Sequence, residues 1–368
     1  MIYLSLLLIL STFIFLELTI ENKNKKFIMI GFITILLIYF SGFRHQVGAD
    51  DLNYAILFNQ VKTIMNESII NSYTNYFMEP GFVALNSTIK VFTNDYHLFM
   101  LFIAFLTVLF TSYNYSRYSP YVILSLLLYF VHTFLARDMN QIRAGLAASI
   151  LLFSIKYIYN NNFIKFSLVI LIASSFHIGA IVFFITYFVA RKEYNKFTYL
   201  SFIFIAIILS YFGLAGIVVE NLPDSLGILK TVLTGYYNSP EFKNSVSTFD
   251  ITNIKQIAIS LTIILCLSRL KEKSIYFILL FNIYIIGVIW RIAFSDFGIF
   301  AARFATFLTI TEVILITFFL LCVKGKQKIF IAFLIVLYAF ATLYLNIFIK
   351  KDKPVTEEYK NYIIEEMR

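Results

Sequence analysis

Phe43-Arg44-His45-Gln46-Val47-Gly48-Ala49-Asp50-Asp51 places an arginine, a histidine, a flexible glycine and two carboxylates directly after an apolar run. Arg137, Arg143, Arg291 and Arg303 also fall at the ends of apolar runs, and Glu79 stands before Pro80-Gly81. A guanidinium is a planar, permanently charged fork that suits phosphate oxygens where water is scarce. Such a set has the chemistry of a clamp for a pyrophosphate or a sugar acid. Whichever of Asp50 and Asp51 does not cap the next helix can pair with Arg44 or act as a general base, and a carboxylate beside an arginine suits pairing better. His177 has the range to take a proton from a sugar hydroxyl. His177 follows Ser174-Ser175-Phe176 inside an apolar run, where a polar cluster breaks a helix or lines a cavity.

Each residue also has a plainer reading. A single arginine snorkels to the interface or pairs locally: Arg44 with Asp50, Arg137 with Asp138, Arg291 with Asp296. Asp50 or Asp51 caps the helix that follows, and Glu79 opens another. Five arginines at such ends together favour a shared anion site. No spacing resembles a metal site, a nucleophilic triad or a phosphate-binding glycine loop, so neither metal nor cofactor is expected.

The elements that hold these residues are membrane spans. The chain of 368 residues is 60% hydrophobic and 14% charged, whereas soluble domains are about half apolar and about a quarter charged. Repeated apolar runs of about 20 residues predict an all-α, polytopic membrane protein of about twelve spans. The net charge of +9 is scattered through short turns, which reads as topology signal and excludes a nucleic-acid partner. The first run has no basic leader and no small-x-small cleavage pattern, so it reads as a retained span. Cys266 and Cys322 lie in apolar runs and are expected as buried thiols.

Residues 44–96 form a polar outer loop. Tyr54, Leu57, Phe58, Val61, Ile64 and Met65 have helical spacing, predicting an amphipathic interfacial helix from Leu52 to about Ile70. A second outer loop covers 220–251. The segment 164–190 is either one tilted helix or two short ones meeting at His177. Two crossings are favoured, because they put the basic turns at 22–26, 117, 156–165, 191–196, 269–273 and 324–328 on one side. Arg44, Arg137, Arg143, Arg291 and Arg303 then lie on the other, outer side with both termini. The basic tail Lys350-Lys351-Asp352-Lys353 fits this arrangement poorly. No linker or internal repeat divides the chain, so a single domain over 1–368 is expected.

Arg44-x-x-Val47-Gly48-x-Asp50 with Tyr54 resembles a signature of the EpsG family of Wzy-like polysaccharide polymerases. Glu79-Pro80-Gly81-Phe82, Ile142-Arg143-Ala144-Gly145-Leu146-Ala147, Phe176-His177-Ile178-Gly179-Ala180 and Arg303-Phe304 resemble its further elements, in family order. Ala49 and Gly179 depart from the common residues without removing an ionisable group. The resemblance implies a multi-pass protein of the bacterial cytoplasmic membrane that joins oligosaccharide repeat units carried on undecaprenyl pyrophosphate. The product is an O-antigen, capsule or exopolysaccharide chain. It implies no metal, with Arg44, Arg143 and Arg303 as the clamp, Arg137, Arg291 and Glu79 in support, and Asp50 or His177 as base. Partners implied are the lipid-linked oligosaccharide, membrane lipid and a chain-length regulator protein. A flippase and a lipid-linked glycan ligase are the alternatives; a flippase should carry charges through the middle of its bundle.

Overall fold

The computed structural model describes residues 2–64, 78–224, 228–239, 246–349 and 358–366. Their regular elements are all helices, with no named strand among them. Seven helices are long and apolar enough to cross a membrane: Ile2–Thr19, Lys23–Gly42, Tyr96–Tyr118, Ile142–Tyr159, Ile251–Lys273, Gly298–Leu321 and Lys326–Phe348. Lys196–Tyr211 and Leu214–Glu220, bent by 67° at a break, make an eighth if they act as one span. Gly213 supplies the break with a φ of 63°. Other expected spans appear as shorter apolar helices: Phe163–Phe176, Ile178–Val189 and Phe277–Ala293. Val122–Tyr129 continues into a wider π-helical stretch, Phe130–Asp138.

The chain divides into two compact units, one of residues 1–157, 164–181 and 316–368, the other of 158–163 and 182–315. In the first unit the Lys23–Gly42 helix packs against Tyr96–Tyr118, tied by a 3.0 Å bond from Thr34 Oγ1 to Ser112 Oγ. Its start is capped by Asn22, whose side-chain oxygen accepts the Asn24 and Lys25 amides at 2.9 and 3.2 Å. Glu17 of the first helix does the same for a neighbour, accepting the Ile123 and Leu124 amides at 3.1 and 3.3 Å. Ser119 bonds Thr317 at 3.1 Å, and Lys328 lies over the Tyr121 ring at 4.7 Å. The turns near 20, 120 and 325 thus gather at one end of this unit. The Lys23–Gly42 helix, about 30 Å long, carries the chain from there to Arg44 at the other end.

The loop after Arg44 carries two short helices, Asp51–Gln60 and Pro80–Ile89. The expected amphipathic helix begins as predicted but stops at Gln60, ten residues short, because Val61 turns to extended backbone; residues 65–70 of the expected helix lie outside the described residues. Its apolar face is buried in protein: Tyr54, Leu57, Phe58 and Val61 pack with Phe82, Val83, Phe99, Met100 and Ile142. Leu52 and Ile56 are exposed on the opposite face.

In the second unit Gly287 lets Phe277–Ala293 approach Leu308 and Thr309 closely, since a Cβ there would lie 2.7 Å from the Thr309 methyl. The 164–190 ambiguity resolves into two helices meeting at His177. Their far ends come together within this unit. Tyr187 Oη donates to Asn161 Oδ1 at 2.9 Å, and Arg191 bonds the same oxygen. Lys271 reaches Glu193 at 2.7 Å, so the turns near 161, 192 and 271 share one end. A single crossing cannot give this contact.

Candidate active site at the lip of the first unit

Arg44 follows the Lys23–Gly42 helix and is only 1% exposed. Its Nη1 donates to the Ser41 carbonyl at 2.8 Å and the Asp138 carbonyl at 3.0 Å, and its Nε to the Val47 carbonyl at 3.3 Å. Its Nη2 lies 3.7 Å from Asp51 Oδ1. Nη1 and Nε thus hold the loop in shape, while Nη2 is buried without a hydrogen-bond partner among the described residues. The loop reverses through Gln46 and Gly48, with φ of 51° and 107°. Gly48 is required twice over, because a Cβ there would also sit 2.5 Å from the Met139 carbonyl oxygen.

The local pairing of Arg44 with Asp50 does not form; Asp51 takes that place and also accepts Tyr96 Oη at 2.9 Å. Asp50 holds the N-cap position of the Asp51–Gln60 helix, yet its side chain makes no capping bond. Its backbone N–H donates to Asn140 Oδ1 at 3.1 Å. The half-buried Asp50 carboxylate has no hydrogen bond or ion pair among the described residues.

Arg143 stands in the first turn of Ile142–Tyr159 and pairs with Glu79. Its guanidinium lies over the rings of Tyr54 at 5.8 Å and Phe82 at 6.0 Å. With 23% of its side chain exposed, it keeps a face open, unlike Arg44. Glu79 sits at the N-cap position of Pro80–Ile89 but caps nothing. Its second oxygen accepts the Ile178 amide at 3.3 Å, so one carboxylate joins Arg143 to the chain just after His177. Gly81 sits against Ser175 with no room for a Cβ, which fixes the two segments side by side.

His177 Nδ1 accepts the Gly179 amide at 3.1 Å, leaving the proton of a neutral ring on Nε2. Tyr54 lies in electrostatic reach of Arg143, Asp50 and Arg44. Burial pushes its phenol above the ordinary range, against the pull of Arg143, so it stays a protonated donor. Arg44, Asp50, Glu79, Arg143 and His177 thus belong to one end of one unit.

Arg137 is buried at the end of the π-helical stretch beside Asp138. Asp138 bonds the Tyr129 hydroxyl, and Gly145 abuts its carboxylate where a Cβ would not fit. Arg291 and Arg303 belong to the second unit. Arg291 pairs with Asp250 at 2.9 Å rather than with Asp296. Asp296 instead accepts the Ala215 and Gly216 amides at 3.1 and 3.0 Å. Arg303 is exposed, and its side chain has no hydrogen bond or ion pair among the described residues.

Both cysteines are free and only partly buried, and no group of metal-ligating side chains occurs among the described residues. Asn140 and Asp138 are working parts of this region to which the sequence reading gives no site role, Asp138 being read only as a local partner of Arg137. Their signal was present, since both flank Met139 in the stretch between two singled-out arginines.

The fold and site together define a helical, multi-span membrane protein with an arginine–carboxylate site at a span end. The sequence matches the model of the EpsG family over residues 27–364, and the chain belongs to that family. It is 30% identical over 356 residues to the amylovoran biosynthesis protein AmsC of Erwinia amylovora, covering 90% of each chain. No solved structure matches it.

Proposed function

We propose that this chain is a polysaccharide polymerase, joining lipid-linked oligosaccharide repeat units at the outer face of the bacterial cytoplasmic membrane. Family membership and the relative named for amylovoran biosynthesis support a role in exopolysaccharide formation. The observation that carries the site is the partly open Arg143 fork, paired with Glu79 and set over Tyr54 of the helix that Asp50 begins.

In this reading the bond from the reducing-end sugar to its undecaprenyl pyrophosphate breaks as the anomeric carbon bonds an acceptor hydroxyl. The bond's electrons leave with the pyrophosphate, and Arg143 stabilises the charge that develops there. Asp50 takes the acceptor's proton, with His177 orienting the acceptor or serving as the alternative base. Arg44, being buried, shapes the loop, and Arg137 is buried beside Asp138. Arg303, exposed in the second unit, is a separate point of anion contact, and Arg291 is held by Asp250.

A deletion strain supplied with the Arg143→Ala or Asp50→Asn chain, at normal membrane level, should display single repeat units without long polymer on a gel. No surface sugar at all would point to a flippase, loss of attachment with polymer intact to a ligase, and unchanged polymer would sink the assignment of these residues.

A further inference from the structure

The last described residues, 358–366, fold back onto the Arg44 loop. Asn361 forms an antiparallel bridge with Arg44. The His45 amide donates to the Lys360 carbonyl at 3.0 Å, and the Tyr362 amide to the Phe43 carbonyl at 2.8 Å. Tyr359 stacks on Phe40 with centroids 4.3 Å apart and planes 8° from parallel, and its hydroxyl donates to the Phe40 carbonyl at 3.0 Å. Tyr362 stacks on His97 at 3.7 Å, and His97 packs in turn on His45 at 5.2 Å. Asn361, buried, donates to the hydroxyls of Tyr39 and Tyr359 at 3.3 and 3.4 Å.

These contacts are concentrated at the point where the Lys23–Gly42 helix stops and the left-handed turn at Gln46 begins. A chain leaving a helix through such a turn has backbone groups without regular partners. Here Phe43 O and His45 N–H, on either side of Arg44, are both satisfied by the C-terminal segment. The turn at Gln46–Gly48 follows directly and leads into Asp50.

We infer that residues 358–366 are a working part of the loop site, with Tyr359 and Asn361 as positioning residues that hold Arg44–Asp51 in register for reaction. The inference rests on the polymerase reading above. The segment acts through the loop and touches no reacting atom.

The test uses the full chain with Cys266 and Cys322 replaced by alanine and a single reporter, Ala49→Cys, on the exposed side of the loop. The rate of maleimide modification at this cysteine is compared among the parent, Tyr359→Ala, Asn361→Ala and Tyr359→Phe. Loss of the bridge should speed modification about tenfold, the equivalent of one or two net hydrogen bonds. Tyr359→Phe, which keeps the stacked ring but loses the hydroxyl's bonds to Phe40 and Asn361, should fall between the parent and Tyr359→Ala. Polymer length, read in parallel at matched membrane levels, should shorten in Tyr359→Ala and Asn361→Ala and recover in part in Tyr359→Phe.

Equal modification rates in all chains would overturn the inference whatever the polymer does. Faster modification with polymer of full length would overturn it too, since the segment would then hold a loop that reaction does not need. Labelling requires no activity, and failure of the polymerase reading shows separately, as unchanged polymer in Arg143→Ala.

Discussion

Arg44 and Arg143 have the same side chain at the same end of the first unit, yet their surroundings give them different work. Arg44 is enclosed by three carbonyls and Asp51. Removing it strands a buried carboxylate, which costs about 3–5 kcal/mol. Arg44→Ala should therefore lower the melting temperature of the detergent-solubilised protein and its membrane level. Arg44→Lys should do little better, because one ammonium cannot span those acceptors. Arg143 keeps an open face, so Arg143→Ala should leave the fold in place and cut polymerisation by about 10²–10³-fold. Asp50→Asn should likewise preserve melting, since its carboxylate makes no bond, while slowing reaction about 10²–10⁴-fold. Equal effects of Arg44→Ala and Arg143→Ala on melting would contradict this division.

At the scale of elements, apolar length was legible in the sequence and side-chain pairing was not. The runs that became helices near 2–19, 23–42, 96–118 and 142–159 needed only composition and span length to find. The choice of Asp51 over Asp50 for Arg44 depends on a turn through Gln46 and Gly48 that local spacing does not encode. The pairing of Arg291 with Asp250 joins residues far apart in sequence, so the nearer Asp296 was the natural but incorrect guess. The π-helical stretch before Asp138 has no sequence marker, and it sets where Asp138 meets Arg44. Glu17 is another such case, a carboxylate in an apolar helix that caps the Val122–Tyr129 helix. Glu17→Ala leaves two amides without acceptors, at about 1–3 kcal/mol each. It should lower melting while leaving polymer length normal in the protein that survives.

At the scale of the whole chain, the positive-inside rule gives the expectation that the basic turns face the cytoplasm and the arginine-bearing span ends face out. The contacts of Asn161 with Tyr187 and Arg191 bring both ends of the His177 hairpin to one side. A membrane-impermeant thiol reagent applied from outside intact cells should therefore miss single cysteines placed at Asn160 and Glu193. Labelling at Glu193 alone would contradict the hairpin. The C-terminal segment adds what hydropathy could not show. Tyr3, Phe40 and Tyr359 meet at one end of the first unit, which sets the start of the Ile2–Thr19 helix and the 358–366 segment beside the Arg44 loop. The basic stretch 350–353 lies outside the described residues.

The central claim is that chain extension occurs at the Arg143–Asp50 site. Its most direct test is purified protein in lipid vesicles, given only the undecaprenyl-pyrophosphate-linked repeat unit isolated from a strain lacking this chain. The account predicts a ladder of polymer lengths with released undecaprenyl pyrophosphate for the natural sequence, and single units alone for Arg143→Ala and Asp50→Asn. A full ladder from either variant, or none from the natural protein with its substrate intact, would contradict it.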